Sequence, residues 1–112
     1  SDKQLMGRYL DGRVTAVLGT HTHVPTADEC VFSGGTAFQC DLGMTGPYDS
    51  ILGRKIERVL ETTRTFCPTT FDVASGDVRL SGTVLEVDPS TGKATDIRRL
   101  VVRQAEVDEW LK

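Results

Sequence analysis

Apolar residues recur at the spacing of one helix face in three segments of the chain. Such spacing places side chains on one side of a helix, where they can pack against a core. We therefore predict a helix that starts at Ser1 or Asp2 and stops at Gly12, a second over about residues 50–63, and a short closing helix. The apolar positions are Leu5, Met6, Tyr9 and Leu10 in the first, Leu52, Ile56, Val59 and Leu60 in the second, and Val107, Trp110 and Leu111 in the third.

Strands are predicted where apolar and β-branched residues form short runs. The run "RVTAVLG" is typical of a strand buried on both faces, and "CVFSGGTAFQC" of two short strands around a Gly-Gly turn. A loop is predicted for "GMTGPYDS", because two glycines and a proline disfavour regular structure. The runs "DVRLSGTVLEVD" and "ATDIRRLVV" form a predicted hairpin. A helix followed by a buried strand indicates an α/β fold.

Composition and charge narrow the classes of protein to which the chain can belong. The 112 residues are 38% hydrophobic, which predicts a single unit over residues 1–112. Thirteen basic and sixteen acidic residues are interspersed and give a net charge of −3, so no nucleic-acid-binding surface is evident. Apolar runs such as Ala16–Leu18 are far shorter than the roughly 20 residues that cross a membrane. We expect a cytoplasmic protein.

The three cysteines, Cys30, Cys40 and Cys67, lack the spacing of a redox or zinc-knuckle motif. We predict reduced and mostly buried thiols. A structural zinc site made by His21, His23, Cys30 and Cys40 is disfavoured, because the separation of the two cysteines is irregular for such a site.

The two histidines lie two residues apart, directly after an apolar run that ends in Gly19. If the chain stays extended through Thr22, His21 and His23 point to the same side beyond the strand end, where ligands collect in α/β sheets. Gly19 would allow another segment or a ligand to approach closely. The pair is interpreted either as metal ligands or as hydrogen-bonded loop residues. Further ligand candidates are Asp28, Glu29, Asp41 and Asp49, although Asp41 is equally typical of a turn or helix cap.

Three segments carry a resemblance that covers nearly the whole chain. They are "AVLGTHTHVPTADE", "GGTAFQCDLGMTGPYDSILG" and "FDVASGDVRLSGTVLEVDPSTGKATDIRRL". Together they resemble the C-terminal portion of a bacterial branch of the calcineurin-like metallophosphoesterases. Characterised members of that branch are phosphodiesterases acting on cyclic nucleotides such as 2',3'-cyclic AMP.

The resemblance implies both a fold and a site. The implied fold class is α/β, the C-terminal half of an α/β/β/α sandwich that is rich in strands and has two or three flanking helices. His21 and His23 match the family's paired metal-binding histidines, in a centre that holds two divalent metal ions, Fe, Mn or Zn. No catalytic residue is assigned. The residues that match segments bordering the site, and are therefore candidates for substrate binding, are Thr20, Thr22, Thr45 and Gly46.

The remaining ligands of the family have no counterpart in this chain. They are an N-terminal Asp, a Glu-Asn pair, a further Asn and an upstream His. We therefore expect a fragment that holds part of the site and is inactive alone, with the missing N-terminal half or a second copy as its partner. An alternative is a non-catalytic β-rich binding or assembly module, in which the histidine segment is vestigial.

Overall fold

The chain forms two three-stranded β-sheets and three α-helices, in a computed structural model that describes residues 1–112. This mixed architecture confirms the α/β fold class predicted from the sequence. None of the helices is long and apolar enough to span a membrane. In chain order the elements are α1 (Asp2–Leu10), β1 (Ala16–Leu18), β2 (Cys30–Val31), β3 (Ala37–Gln39), β4 (Gly46–Asp49), α2 (Ile56–Thr65), β5 (Gly76–Val87), β6 (Ala94–Arg103) and α3 (Gln104–Trp110).

The chain divides into two compact units. The first comprises Ser1–Met44 and Ser81–Leu100, and the second comprises Thr45–Leu80 and Val101–Lys112. That residues 1–112 form a single part of one larger domain stays a prediction.

The first sheet, in the first unit, has the order β1-β3-β2. Strand β1 runs parallel to β3, with Ala16 opposite Ala37, and β2 pairs antiparallel with β3. The predicted Gly-Gly hairpin is confirmed, because the Phe32 N–H donates to the Thr36 carbonyl at 2.9 Å and Gly35 has a φ of 92°. Strand β1 is also confirmed, but its predicted burial on both faces is wrong, since Leu18 is exposed on this edge strand.

Strand β3 carries the core of the first unit. All of its residues are buried, and Ala37 clusters with Ala94 and Ile97. The ring of Phe38 stacks on that of Phe32 at a centroid distance of 5.3 Å.

Helix α1 packs on this aromatic pair through its one buried residue, Gly7. The apolar face predicted to pack inward is exposed instead, with Leu5 at 67%, Met6 at 53% and Tyr9 at 69%. The prediction of the helix was correct and that of its buried face was wrong. A glycine brings the backbone closer to the two rings than a larger side chain would allow.

The second sheet has the order β4-β5-β6. Strand β4 pairs antiparallel with β5, with Gly46 opposite Arg79 and Pro47 opposite Val78. The loop predicted for "GMTGPYDS" is therefore wrong over residues 46–49. Proline is tolerated because β4 is an edge strand, where a missing N–H need not break a ladder.

Helix α2 begins at Ile56, later than the predicted residue 50. A tight turn precedes it, in which Ile51 and Arg54 exchange two backbone hydrogen bonds of 2.9 Å. Leu52 and Gly53, at the centre of this turn, have positive φ values that a helix cannot contain. The two strands of the predicted hairpin are confirmed as the adjacent strands β5 and β6. The closing helix is confirmed as α3.

All three cysteines are free, as predicted, but they are not mostly buried. Cys30 and Cys67 are exposed, and Cys40 is half-buried. The prediction of buried thiols is therefore wrong.

Candidate histidine site

The histidine loop, residues 19–24, follows β1 and does not continue as an extended chain. His21 has a φ of 122° and His23 a φ of 69°, values that residues with a side chain rarely adopt. The chain was predicted to stay extended through Thr22, and the shared orientation of the two imidazoles was inferred from that. The prediction of an extended chain is wrong. Each such residue costs on the order of 1–3 kcal/mol and persists only where the surrounding contacts impose it.

Asp41 is hydrogen-bonded to the backbone of the loop. Its side chain has no exposed area, and its Oδ2 accepts a hydrogen bond of 2.7 Å from the N–H of Thr22, which lies between the two histidines. Its Oδ1 accepts a second one of 2.9 Å from the N–H of Gly43. Of the two interpretations of Asp41, the structure supports the turn former rather than the ligand.

The pKa of Asp41 reflects a competition between burial and hydrogen bonding. Burial raises the pKa of the carboxyl group, but the N–H groups of Thr22 and Gly43 and the Lys3 ammonium lower it. The net pKa lies below the ordinary value for aspartate. At neutral pH the carboxylate is therefore ionised, and its hydrogen bonds are of the stronger, charge-assisted kind.

Lys3 connects helix α1 to the same loop. Its Nζ donates to the carbonyl oxygen of Thr20 at 2.5 Å and lies 3.3 Å from Oδ2 of Asp41. Sequence reasoning missed this residue, because a lysine in an amphipathic helix has the pattern of a solvated charge. No local signal marks a contact between residues 38 positions apart.

Gly19 fixes the start of the loop against the end of β3. Its N–H donates to the Gln39 carbonyl at 3.0 Å, and its own carbonyl accepts from the Leu42 N–H at 2.9 Å. A Cβ atom at residue 19 would overlap the carbonyl oxygen of Cys40. The predicted close approach of another segment at Gly19 is thus confirmed.

The segment that follows the loop is tied down by a buried polar network. The hydroxyl of Thr26 donates to Asp28 at 2.6 Å, and the Asp28 carboxylate accepts from the Cys40 N–H at 3.1 Å. The buried Gln39 amide donates to the carbonyls of Thr26, at 3.1 Å, and Asp41, at 3.0 Å. Both ends of the histidine loop are therefore held by the chain around β3.

The candidate site residues differ in their exposure. His21 is exposed and His23 half-buried, while Thr22 is exposed and its hydroxyl donates to the Val24 carbonyl at 3.0 Å. Thr20 and Thr45 are exposed, and Gly46 is half-buried at the start of β4. The first four lie in the first unit and the last two in the second. Their roles in metal and substrate binding stay predictions.

A cleft of about 350 Å³ in the first unit contains neither histidine. It is lined by residues of α1 together with Asp28, Cys30 and the two stacked phenylalanines, and the Arg8 guanidinium lies 3.9 Å from the centre of the Phe32 ring. This is a cation–π contact between two of the residues that line the cleft.

Comparison with known proteins identifies the family of this chain. A family model described as YmdB-like protein matches residues 1–100. The chain belongs to the YmdB-like family. The resemblance to phosphoesterases inferred from its motifs is thereby confirmed.

Curated relatives of this YmdB-like chain are phosphoesterases by name. The chain is 48% identical over 102 residues to a 2',3'-cyclic-nucleotide 2'-phosphodiesterase of Bacillus subtilis. The match covers 91% of this chain and 39% of that protein. It is 37% identical over 107 residues to a putative phosphatase/phosphodiesterase of Mycoplasma pneumoniae, covering 90% of this chain and 37% of the relative. The chain thus spans about two fifths of the length of these relatives.

Two crystal structures share the fold of this YmdB-like chain. A hypothetical protein from Thermus thermophilus has a TM-score of 0.83 and 42% identity, over 90% of this chain and 39% of its own. A novel phosphatase from Mycoplasma pneumoniae has a TM-score of 0.85 and 30% identity, over 96% of this chain and 40% of its own.

The residues of this YmdB-like chain do not by themselves make a complete metal site. Imidazole nitrogens suit Fe and Zn, and carboxylate oxygens suit Mn, but metal sites of this kind usually take roughly three or four protein ligands. Among residues 1–112 no three His, Cys, Asp or Glu side chains are placed to hold one ion. No such group joins the histidines to Cys30 and Cys40.

Three of the four acidic residues considered as further ligands have other partners. Asp41 and Asp28 accept backbone N–H groups, and Glu29 forms an ion pair of 3.0 Å with Arg99. The two imidazoles are of a suitable ligand type, and no group of three potential ligands includes them.

Proposed function

We propose that this chain is part of a phosphodiesterase that hydrolyses a 2',3'-cyclic nucleotide or a related phosphodiester. The observation that carries the proposal is the histidine loop, in which two histidines two residues apart have positive φ and a buried carboxylate accepts the N–H of the residue between them. Backbone strain of this kind concentrates at functional sites. The name of the Bacillus subtilis relative, at 48% identity, supports the substrate class.

His21 and His23 are proposed to supply two of the ligands of a centre with two divalent metal ions. The other ligands would come from residues outside this chain, because none of residues 1–112 completes the set. Divalent ions supply charge stabilisation and water activation to phosphodiester hydrolysis. The chain's own contribution is to hold both imidazoles in a fixed orientation. We expect the isolated chain to be inactive.

Four further residues are proposed to border the substrate: Thr20, Thr22, Thr45 and Gly46. Thr22 is constrained in this role, since its N–H and hydroxyl are both engaged within the loop. Its contribution would therefore come from the position of the loop rather than from a free hydroxyl.

The alternative is a non-catalytic binding or assembly module. The exposed apolar face of α1 and the absence of a third ligand among residues 1–112 favour it. It predicts that the full-length protein hydrolyses no phosphodiester and binds no divalent metal with appreciable affinity.

The test uses the full-length protein with His21→Ala and His23→Ala, and Ser33→Ala in the β2–β3 turn as a control at an exposed residue. We expect kcat for 2',3'-cyclic AMP with Mn²⁺ to fall on the order of 100-fold or more in each histidine variant, because each loses a ligand. Bound Mn²⁺, measured by elemental analysis, should fall as well, while the unfolding temperature stays near that of the wild type. Unchanged turnover in both histidine variants would refute the proposal.

A further inference from the structure

We propose that Asp41 and Lys3 are positioning residues that set the conformation of the histidine loop, and that they govern turnover through it. The inference rests on the proposed function and deepens it. Neither residue is required to touch substrate or metal. Their atoms act on the backbone on either side of His21.

The two residues hold the two peptide groups that flank His21. The ammonium of Lys3 accepts no bond and donates to the carbonyl of Thr20, one residue before His21, at 2.5 Å. The carboxylate of Asp41 accepts from the N–H of Thr22, one residue after it, at 2.7 Å. Lys3 and Asp41 are themselves joined at 3.3 Å. A single ion pair therefore fixes the backbone before and after His21, whose φ is 122°.

Asp41 is placed so that it can impose this geometry rather than follow it. Its side chain is fully buried, and its second oxygen is held by the N–H of Gly43 at 2.9 Å. Its own backbone N–H donates to the Thr26 hydroxyl at 2.9 Å, which connects it to the segment beyond the loop. An acceptor that is fixed on several sides can hold a strained neighbour, which a mobile surface carboxylate could not do.

Asp41→Asn disrupts this set of hydrogen bonds while the side chain keeps nearly the same size. Oδ2 accepts from two donors, Thr22 and Lys3, and Oδ1 from Gly43. An amide offers one acceptor oxygen and one NH₂ group, so one set of donors faces another donor in either orientation. Lys3→Met removes the ammonium but keeps an unbranched chain, whereas Lys3→Arg keeps the charge.

Asp11 provides a matched control for loss of a carboxylate that holds backbone. It accepts from the N–H groups of Gly34 at 3.1 Å and Thr36 at 3.4 Å, within the same unit as the histidine loop. These bonds fix the β2–β3 turn and involve no residue of the loop. Asp11→Asn should therefore lower stability without changing how the histidines are presented.

The experiment compares the wild type, Asp41→Asn, Asp11→Asn, Lys3→Met and Lys3→Arg in the full-length protein. Amide hydrogen exchange by mass spectrometry reports on residues 19–24, and steady-state kinetics on 2',3'-cyclic AMP give kcat and KM. For Asp41→Asn we expect exchange in the loop to rise, and kcat to fall, by about tenfold or more, with KM within about threefold. Lys3→Met should also raise loop exchange and lower kcat, and Lys3→Arg should restore part of both.

Two results would overturn the inference. One is loop exchange in Asp41→Asn as slow as in the wild type. The other is a fall in kcat for Asp11→Asn as large as that for Asp41→Asn, which would mark a general effect of lost stability. A wild-type protein that does not hydrolyse the substrate contradicts the proposed function instead. In that case the exchange comparison alone decides whether Asp41 and Lys3 position the loop.

Discussion

Gly19 lies against the carbonyl group of Cys40 so closely that a Cβ atom on residue 19 would overlap the carbonyl oxygen. The obstacle is backbone at the end of β3, which cannot move aside as a flexible side chain could. We predict that Gly19→Ala lowers the free energy of unfolding by about 3 kcal/mol or more, measured by urea denaturation.

Gly82→Ala is the control for this prediction. A Cβ atom there meets nothing within 4 Å, and alanine should change the free energy of unfolding by less than about 1 kcal/mol. Equal effects of the two substitutions would contradict the close approach of Gly19 and Cys40.

Gly7 is a second glycine whose replacement is informative, because helix propensity and packing oppose each other there. Alanine favours a helix by about 1 kcal/mol over glycine. Its Cβ would lie 2.6 Å from Cδ2 of Phe38 and 3.3 Å from Cε2 of Phe32, and overpacking typically costs about 1–3 kcal/mol. We predict net destabilisation of Gly7→Ala in thermal unfolding, whereas Gln4→Ala on the exposed part of α1 should be close to neutral. A higher unfolding temperature for Gly7→Ala would show that α1 is not packed on the aromatic pair.

Acid should weaken the anchor of the histidine loop. The pKa of Asp41 is lower in the folded chain than the roughly 3.9 of an unfolded aspartate, so the folded state binds fewer protons at this group. Its contribution to stability is fully present above the unfolded pKa and is lost as the pH falls through the lowered folded pKa. The stability difference between the wild type and Asp41→Asn should therefore be largest near neutral pH and shrink below about pH 4. A difference that stays constant from neutral to strongly acidic pH would contradict this assignment.

The exposed apolar face of α1 predicts association of the 112-residue chain when it is studied alone. Leu5, Met6 and Tyr9 expose 67%, 53% and 69% of their surface on neighbouring turns of one helix. We expect sedimentation velocity to show self-association that disappears when all three are changed to glutamine. Trp110 and Leu111, exposed at 69% and 81%, provide the control pair. Association that depends on this pair and not on α1 would refute the prediction.

Regular elements were predictable where the pattern was long and local. Helix α2 and the strands β5 and β6 have such patterns, and all three elements are present, although α2 begins at Ile56 rather than at residue 50. Strand β4 was missed because Gly46 and Pro47 have the composition of a loop, and only the pairing with β5 makes them a strand. The buried face of α1 was missed because a small residue, Gly7, makes the contact that larger apolar residues were expected to make.

In the candidate site, too, features set by neighbouring residues could be predicted, and features set by residues distant in sequence could not. The pair of histidines and the close approach at Gly19 follow from neighbouring residues and could be predicted. The conformation of the loop depends on Asp41 and Lys3, which are distant from it in sequence. Side-chain alternation along an extended chain could not anticipate a bend imposed by a buried carboxylate.

The backbone angle of His21 means that the residue at this position is not the one that fits the local backbone with least strain. Glycine adopts a φ of 122° far more readily than any residue with a side chain. Under the proposed function, a survey of all substitutions at residue 21 would rank glycine high for the yield of folded protein and low for turnover. Variants chosen only for thermal robustness would therefore drift away from the chemistry at this position.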